Sequence, residues 1–427
     1  MRRAWGPRAV AGLALLGGLA GATPPSPAPT FSAEEQAQIL SLGPWPPPPA
    51  RDPGNPVATS PAAIALGERL FRDRRLSRDG TLACISCHVP ALAFADGQAR
   101  PLSRTPPQRL DRNAPTLWNA VHQRWQGWDG AADSLWSQAL RVMHDPREFD
   151  QDAAGLQARV RADASLQCHW REAFGGMDAD PQRTQVQMAQ ALAAYVGTLV
   201  SPPTAFDRWR DALAAGNAPA RQAAEQRFGA AAQRGLQIFL KHQCTACHGG
   251  PLFSHGEFAD IGIPFFVRPG VVDPGRHGGI AALRASPFNL LGPWAHRDAH
   301  WEEASLKTRH VTAQHRHFGE FKVPGLRLVA ATAPYMHDGR LPTLEAVVDH
   351  YSNLPLDRLH ADGEQILKPL RLRPQEAADL VAFLRSLGDA SPAVPAPPAS
   401  VCEATPVEKA GQRAVVPPLA RRPAASP

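Results

Sequence analysis

No stretch of this chain approaches the roughly 20 consecutive apolar residues that a membrane-spanning helix needs; the run from Val10 to Ala20 stops well short. A membrane span is therefore not expected. Alternation of apolar and polar residues is scarce, which argues against a sheet-based fold and leaves a mainly α class with long, proline-broken loops. A strong excess of one charge is missing too. The formal +6 falls to about +3 without Arg2, Arg3 and Arg8, so nucleic acid is not an implied partner. Those arginines, the apolar run and the small-residue exit at Ala20-Gly21-Ala22 describe a secretory signal over 1–22. An exported protein, expected in a bacterial periplasm, follows from it.

Cysteine is also sparse, with six in 427 residues, and four of them fall into one repeated pattern. Cys84-Ile85-Ser86-Cys87-His88 and Cys244-Thr245-Ala246-Cys247-His248 each place two thiols three residues apart beside a histidine. That spacing suits covalent attachment of a c-type haem, with two thioether links per porphyrin and His88 or His248 as the iron's proximal ligand. Zinc would want further cysteines or histidines at ligand spacing, and a redox dithiol needs no following histidine twice over. Two haems are expected. Cys168 and Cys402 remain, and in an oxidising compartment either a disulfide or two free thiols is open.

Proline-rich composition marks the ends of the chain. The expected layout is a leader at 1–22, a proline-rich segment at 23–60, haem domains at 61–225 and 226–390, and a disordered tail at 391–427. An internal repeat supports the two domains. Before the motifs, Ala62 to Phe71 carries Gly67 and Phe71 at helical spacing, and Ala231 to Leu240 carries Gly235 and Phe239 likewise. After them, the apolar face of Leu192 to Leu199 parallels that of Leu380 to Leu387. Each half thus resembles a class I cytochrome c, in which a glycine on the opening helix lets the closing helix cross closely.

More specific motifs follow each haem site. Asn113-Ala114-Pro115-Thr116-Leu117-Trp118-Asn119, Gly127-Trp128-Asp129-Gly130, Gln138 and Glu148 lie in the first half. Phe321 to Arg327 and Thr332 to Gly339 lie in the second. In order and spacing, from about Pro61 to Leu387, they resemble the bacterial dihaem cytochrome c peroxidase superfamily. The resemblance implies hydrogen peroxide as oxidant, Glu148 as acid/base, Gln138 orienting the oxidant and Trp128 bridging the haems. It also implies one calcium ion held by the Asn113 side chain and the carbonyls of Thr332 and Pro334, oxygen donors that suit a hard cation. The histidine that blocks the first iron in many resting peroxidases has no counterpart here, since none occurs between His88 and His122. One departure stands out: the family often has Gly-Pro where this chain has Arg141-Val142.

The sixth ligand of the second haem divides the superfamily. Leu344 to Tyr351 places Tyr351 where MauG-like members carry tyrosine and donor-fed peroxidases carry methionine. A phenolate is a hard anionic donor that favours oxidised iron, whereas thioether sulfur raises the potential. Met336 and His350 are rival ligands, and Tyr351 is also open to a packing role. MauG itself relays oxidation through a tryptophan two positions before its second motif; His242 stands there instead. The partner then docks elsewhere, near Trp209, Trp294 or Trp301, or the oxidised substrate is small. Trp118, Trp125 and Trp136 read as core aromatics. The expected activity is a MauG-like oxidation of a protein or small-molecule donor. The alternatives are a peroxidase fed by a small cytochrome or cupredoxin, and a dihaem electron carrier with no enzymatic role.

Overall fold

The computed structural model describes residues 27–216, 218–263, 266–268, 270–355, 366–388 and 390–402. The expected leader at 1–22 and the final residues 403–427 lie outside them. Helix accounts for 46% of the chain and strand for 4%, the expected mainly α class. The first run of helices is α1 (Ala33–Ser41), α2 (Pro61–Arg72), the single turn α3 (Cys84–Cys87), α4 (Leu135–His144), α5 (Ala153–Ala162), α6 (Ala164–Phe174) and α7 (Pro181–Gly197). There follow α8 (Ala205–Ala214), α9 (Ala218–Phe228), α10 (Ala230–Lys241), α11 (Arg276–Ala285), α12 (Trp301–His310), α13 (Leu344–Ser352) and α14 (Pro374–Ser386). Among the described residues, extended structure amounts to two short antiparallel pairs and isolated bridges. No helix there is long and apolar enough to cross a membrane.

Local chemistry sets the helix starts. Ser60 caps α2 by accepting from the Ala63 N–H, and Pro61 follows at the position where a missing N–H costs nothing. Asp180 and Pro181 open α7 in the same way. At α14 the Glu376 carboxylate reaches back to the Arg373 N–H, with Pro374 at the first turn. The two helix pairs then cross on their glycines. A Cβ on Gly67 of α2 would run into the carbonyl of Ala191 on α7, and one on Gly235 of α10 into the carbonyl of Asp379 on α14. Beside each crossing a ring closes the gap: Phe71 meets Tyr195 at 5.3 Å, and Phe239 meets Phe383 at 5.2 Å. Fully burying such a side chain contributes about 1.5–3 kcal/mol.

Each pair anchors its own core. The first gathers Phe94, Trp118, Trp136 and Trp170, and the second gathers Phe206, Trp209, Phe228 and Phe253. Trp125 is buried as well, so Trp118, Trp125 and Trp136 are core aromatics as expected. Helix α8 packs on the second core: Phe206 meets Phe253 and Phe383 edge-on, Trp209 lies against Phe206 and Phe228, and Phe228, the last residue of α9, meets Phe383 edge-on. Trp209 is 0% exposed, which removes it from the candidate docking residues.

Both ends of the described chain act as straps. Phe31, Ile39 and Leu42 sit in the second core, while Asp52 accepts the Leu135 and Trp136 N–H groups at the start of α4 (2.6 and 3.1 Å). Between them, the Trp45 indole donates to the Ser201 carbonyl at 2.8 Å. At the other end, residues 390–402 run back over the first half rather than trailing free. Ser391 Oγ donates to the Pro90 carbonyl at 2.7 Å, Val394 packs on the first core, and Cys402 forms a disulfide with Cys168 of α6.

Candidate active site

The two Cys-Cys-His motifs sit on tight turns, α3 and the 3₁₀ turn Cys244–Ala246. His88 Nδ1 lies 2.9 Å from the Phe94 carbonyl, and His248 Nδ1 lies 2.9 Å from the Phe253 carbonyl. A carbonyl only accepts, so Nδ1 carries the proton and Nε2 keeps its lone pair, as a ligand histidine requires. Burial lowers the pKa of His88 and takes that of His248 down to about 4, keeping both rings neutral. Burial also pushes the thiols of Cys84, Cys87 and Cys244 up to about 12. Thiols so held are not the low-pKa nucleophiles of a redox dithiol.

A cavity of about 110 Å³ separates the halves, with Pro115, Trp128, Arg124, Lys322 and Pro324 in its lining. Trp118 lines it too, and its buried indole N–H has no partner. Beside this cavity, each motif offers two thiols and a neutral imidazole, and the cations and the unmet donor in the cavity lining suit the carboxylate-bearing edges of porphyrins.

The repeat continues past the haem motifs. Asn119 and Leu328 share a left-handed backbone (φ 64° and 62°) and donate their N–H groups to the Leu199 and Leu387 carbonyls, just past the ends of the closing helices. Antiparallel bridges then pair Gln126 with Ala132 and Tyr335 with Leu341. Gly127 and Met336 both turn left-handed inside these bridges (φ 74° and 72°). Next, Ser134 caps α4 and Thr343 caps α13 through the same side-chain bond. Apart from the two acceptor leucines, all these pairs are separated by one constant interval, and it carries Arg141 onto His350 and Val142 onto Tyr351. The likeness of Trp128-Asp129-Gly130 before Ser134-Leu135 to His337-Asp338-Gly339 before Thr343-Leu344 was the signal for it.

In the second half, burial raises the Tyr351 phenol pKa, and Cys244 and Cys247 raise it further. Tyr351 thus lies within electrostatic reach of the second motif. His350 crosses it edge-on at 5.3 Å, but its own Nε2 lies 2.9 Å from the Ile261 carbonyl. Met336 occupies the left-handed turn before α13.

In the first half, Glu148 stands in the turn after α4, where its N–H donates to the Asp145 carbonyl at 3.0 Å. Its charge raises the Cys84 and Cys87 pKa values, so the structure brings it to the first motif. Burial, with repulsion from Asp145, pushes its own pKa up to about 7 against the pull of Arg141 and Arg147. Gln138 Oε1 accepts from Arg141 Nη1 at 3.1 Å. The Trp128 indole donates to the Asn113 carbonyl at 2.9 Å, and the Trp128 carbonyl accepts from the Lys322 N–H at 2.8 Å, which ties it to both halves. Asn113 donates through its backbone to the His337 carbonyl (2.8 Å) and through Nδ2 to the Gln98 carbonyl (2.9 Å). Thr332 hydrogen-bonds Val329, and a cis bond leads into Pro334. His242 is half-buried at the end of α10; Trp294 and Trp301 are half-buried, the latter donating to the Leu290 carbonyl at 2.7 Å.

A family model described as di-haem cytochrome c peroxidase matches residues 61–214. The chain is 34% identical to the cytochrome-c peroxidase IdrP1 of Denitromonas iodatirespirans, over 85% of this chain and 90% of that protein. It is also 34% identical to the methylamine utilization protein MauG of Methylorubrum extorquens, over 78% of this chain and 79% of that one. Among solved structures, a MauG-like protein associated with microbial copper homeostasis aligns with a TM-score of 0.61 at 28% identity, covering 81% of this chain and 94% of that one. The chain belongs to the di-haem cytochrome c peroxidase family. It is a peroxidase-type oxidoreductase with two haem cofactors.

Proposed function

We propose that the protein is a MauG-like, periplasmic dihaem oxidoreductase whose first half receives hydrogen peroxide and whose second half is capped by Tyr351. The register between α4 and α13 carries this reading: the position that holds the Tyr351 phenol in α13 holds the apolar Val142 in α4. His350 is occupied with Ile261, which favours Tyr351 over it. When bound, the two haems supply the electron transfer and electron storage. The chain supplies the rest. Glu148, as carboxylate, takes the proton from the inner oxygen of peroxide and returns it to the outer one as the O–O bond breaks. Gln138 has committed its carbonyl oxygen to Arg141, leaving its amide N–H groups for the oxidant. Over the cycle peroxide takes up two electrons and two protons and leaves as two waters, the electrons coming from the oxidised donor.

Trp128, bonded to both halves, is the bridge for electrons, and Asn113, Thr332 and Pro334 would hold calcium at the junction. Cys84, Cys87, Cys244 and Cys247 would anchor the porphyrins covalently. The Cys168–Cys402 disulfide supports an oxidising compartment. A second reading, a peroxidase fed by a small cytochrome or cupredoxin, draws on the similarity to IdrP1. Ferric paramagnetic resonance tests the proposal: one high-spin and one low-spin iron are expected, and Tyr351→Met should raise the second potential and shorten the oxidised state. A low-spin signal unchanged by that substitution removes Tyr351 as a ligand. Fast turnover of reduced cytochrome c would instead favour the second reading.

A further inference from the structure

Arg141 enters the scheme above only as the partner of Gln138, yet its side chain, 37% exposed, is tied back to α4 and the turn before it. It follows Gln138 by three residues and precedes Val142, so the three share one half-buried face of α4. The repeat lays that face over the space that α13 fills with Tyr351. The guanidinium is pinned. Nη1 donates to Gln138 Oε1 at 3.1 Å and stands 3.9 Å from Asp129 Oδ1. Asp129 is itself buried and held by Arg112 at 2.7 Å. These groups converge on Gly127, where a Cβ would come 3.2 Å from Arg141 Nη1 and 3.4 Å from Gln138 Oε1. Glu148 lies within reach of the same charge.

We propose that Arg141 is a specificity-determining residue of the oxidant pocket: a fixed cation that selects the anionic form of small oxidants, hydroperoxide above all. This rests on the reading that the first half takes up peroxide. The step is a proton transfer. Peroxide gives one proton to the Glu148 carboxylate, the O–H bond breaks and a new O–H bond forms on the carboxyl, and the negative charge left on oxygen faces the guanidinium. A cation already held in place beside the site stabilises such a charge with little reorganisation when it appears. Asp129 and Gln138 hold it in place, so the selectivity belongs to the knot around Gly127 rather than to a mobile side chain.

The test uses the ferric holoprotein, titrated with fluoride and azide as anionic probes and with imidazole as a neutral one, followed by the haem absorption bands. Arg141→Leu should weaken both anions about tenfold or more, a factor in keeping with the loss of one preorganised donor. Imidazole should be affected far less, and Arg141→Lys should recover most of the anion affinity. Anion affinity in Arg141→Leu equal to that of the unaltered protein overturns the proposal. So does a parallel loss of anions and imidazole, which would mark a collapsed pocket. Arg141→Gln repeats the measurement if the leucine variant loads haem poorly. If the unaltered protein binds none of the probes, the open first site itself is refuted, and the proposal falls with it.

Discussion

The two halves are built alike through the crossing helices, the ligand histidines, the left-handed turns and the capped helix that follows, and they part at one face of that helix. The first half presents Gln138, Arg141 and Val142, whereas the second presents His350 and Tyr351. A duplicated scaffold can therefore give two metal centres different chemistry with no change of backbone, because the proximal ligand is set by the motif and the distal face by a helix that is free to vary.

Exchanging the distal residues should break this contrast most severely. Val142→Tyr is expected to close the first site and slow the reaction with peroxide by roughly 10³-fold or more, the scale of losing the reactive face; stopped-flow mixing with one equivalent of peroxide measures it. Tyr351→Val should open the second site and add a high-spin signal. A peroxide rate unaltered by Val142→Tyr would end the equivalence of the two positions.

Glu148→Gln should come next, slowing the peroxide reaction about 10²- to 10³-fold without loss of haem. Its pH dependence has a definite sign. The base is the carboxylate, and folding lifts its pKa to about 7, so the rate should rise with pH and level off above about 7. Glu148→Gln should abolish that inflection. Because the raised pKa makes the ionised form costly in the fold, stability held by the protonated group is lost as pH rises, and the glutamine variant should not be destabilised at pH 8. A rate flat from pH 5 to 8 in the unaltered protein would take the acid/base role from Glu148.

The smallest effect sharpens the likeness instead. Gly67→Ala and Gly235→Ala each drive a methyl group into a backbone carbonyl, and each should cost about 1–3 kcal/mol in thermal unfolding. Similar losses mean the crossings are equivalent. A loss at only one would show that the halves differ in their cores as well.

Much of this was legible in the sequence because it is carried by short-range pattern. The haem motifs, the glycine-bearing helices and the core tryptophans follow from spacing along a few turns. What escaped depends on long-range packing. Trp209 looks like a surface aromatic until Phe31, Phe206 and Phe228 close around it. The pairing of Cys168 with Cys402 spans most of the chain, and nothing local marks it. The match of α4 to α13 lay in view at Trp128-Asp129-Gly130 and His337-Asp338-Gly339, but a histidine in place of tryptophan hides it from simple inspection.

That disulfide closes a covalent ring whose two cysteines are 234 positions apart, and the ring contains the second motif and Tyr351. A single cut anywhere inside it, for instance between α8 and α9, leaves two pieces that stay joined until a reductant is added. An enzyme that generates strong oxidants next to its own backbone can thus be nicked and still keep both centres on one particle, with the break visible only on a reducing gel.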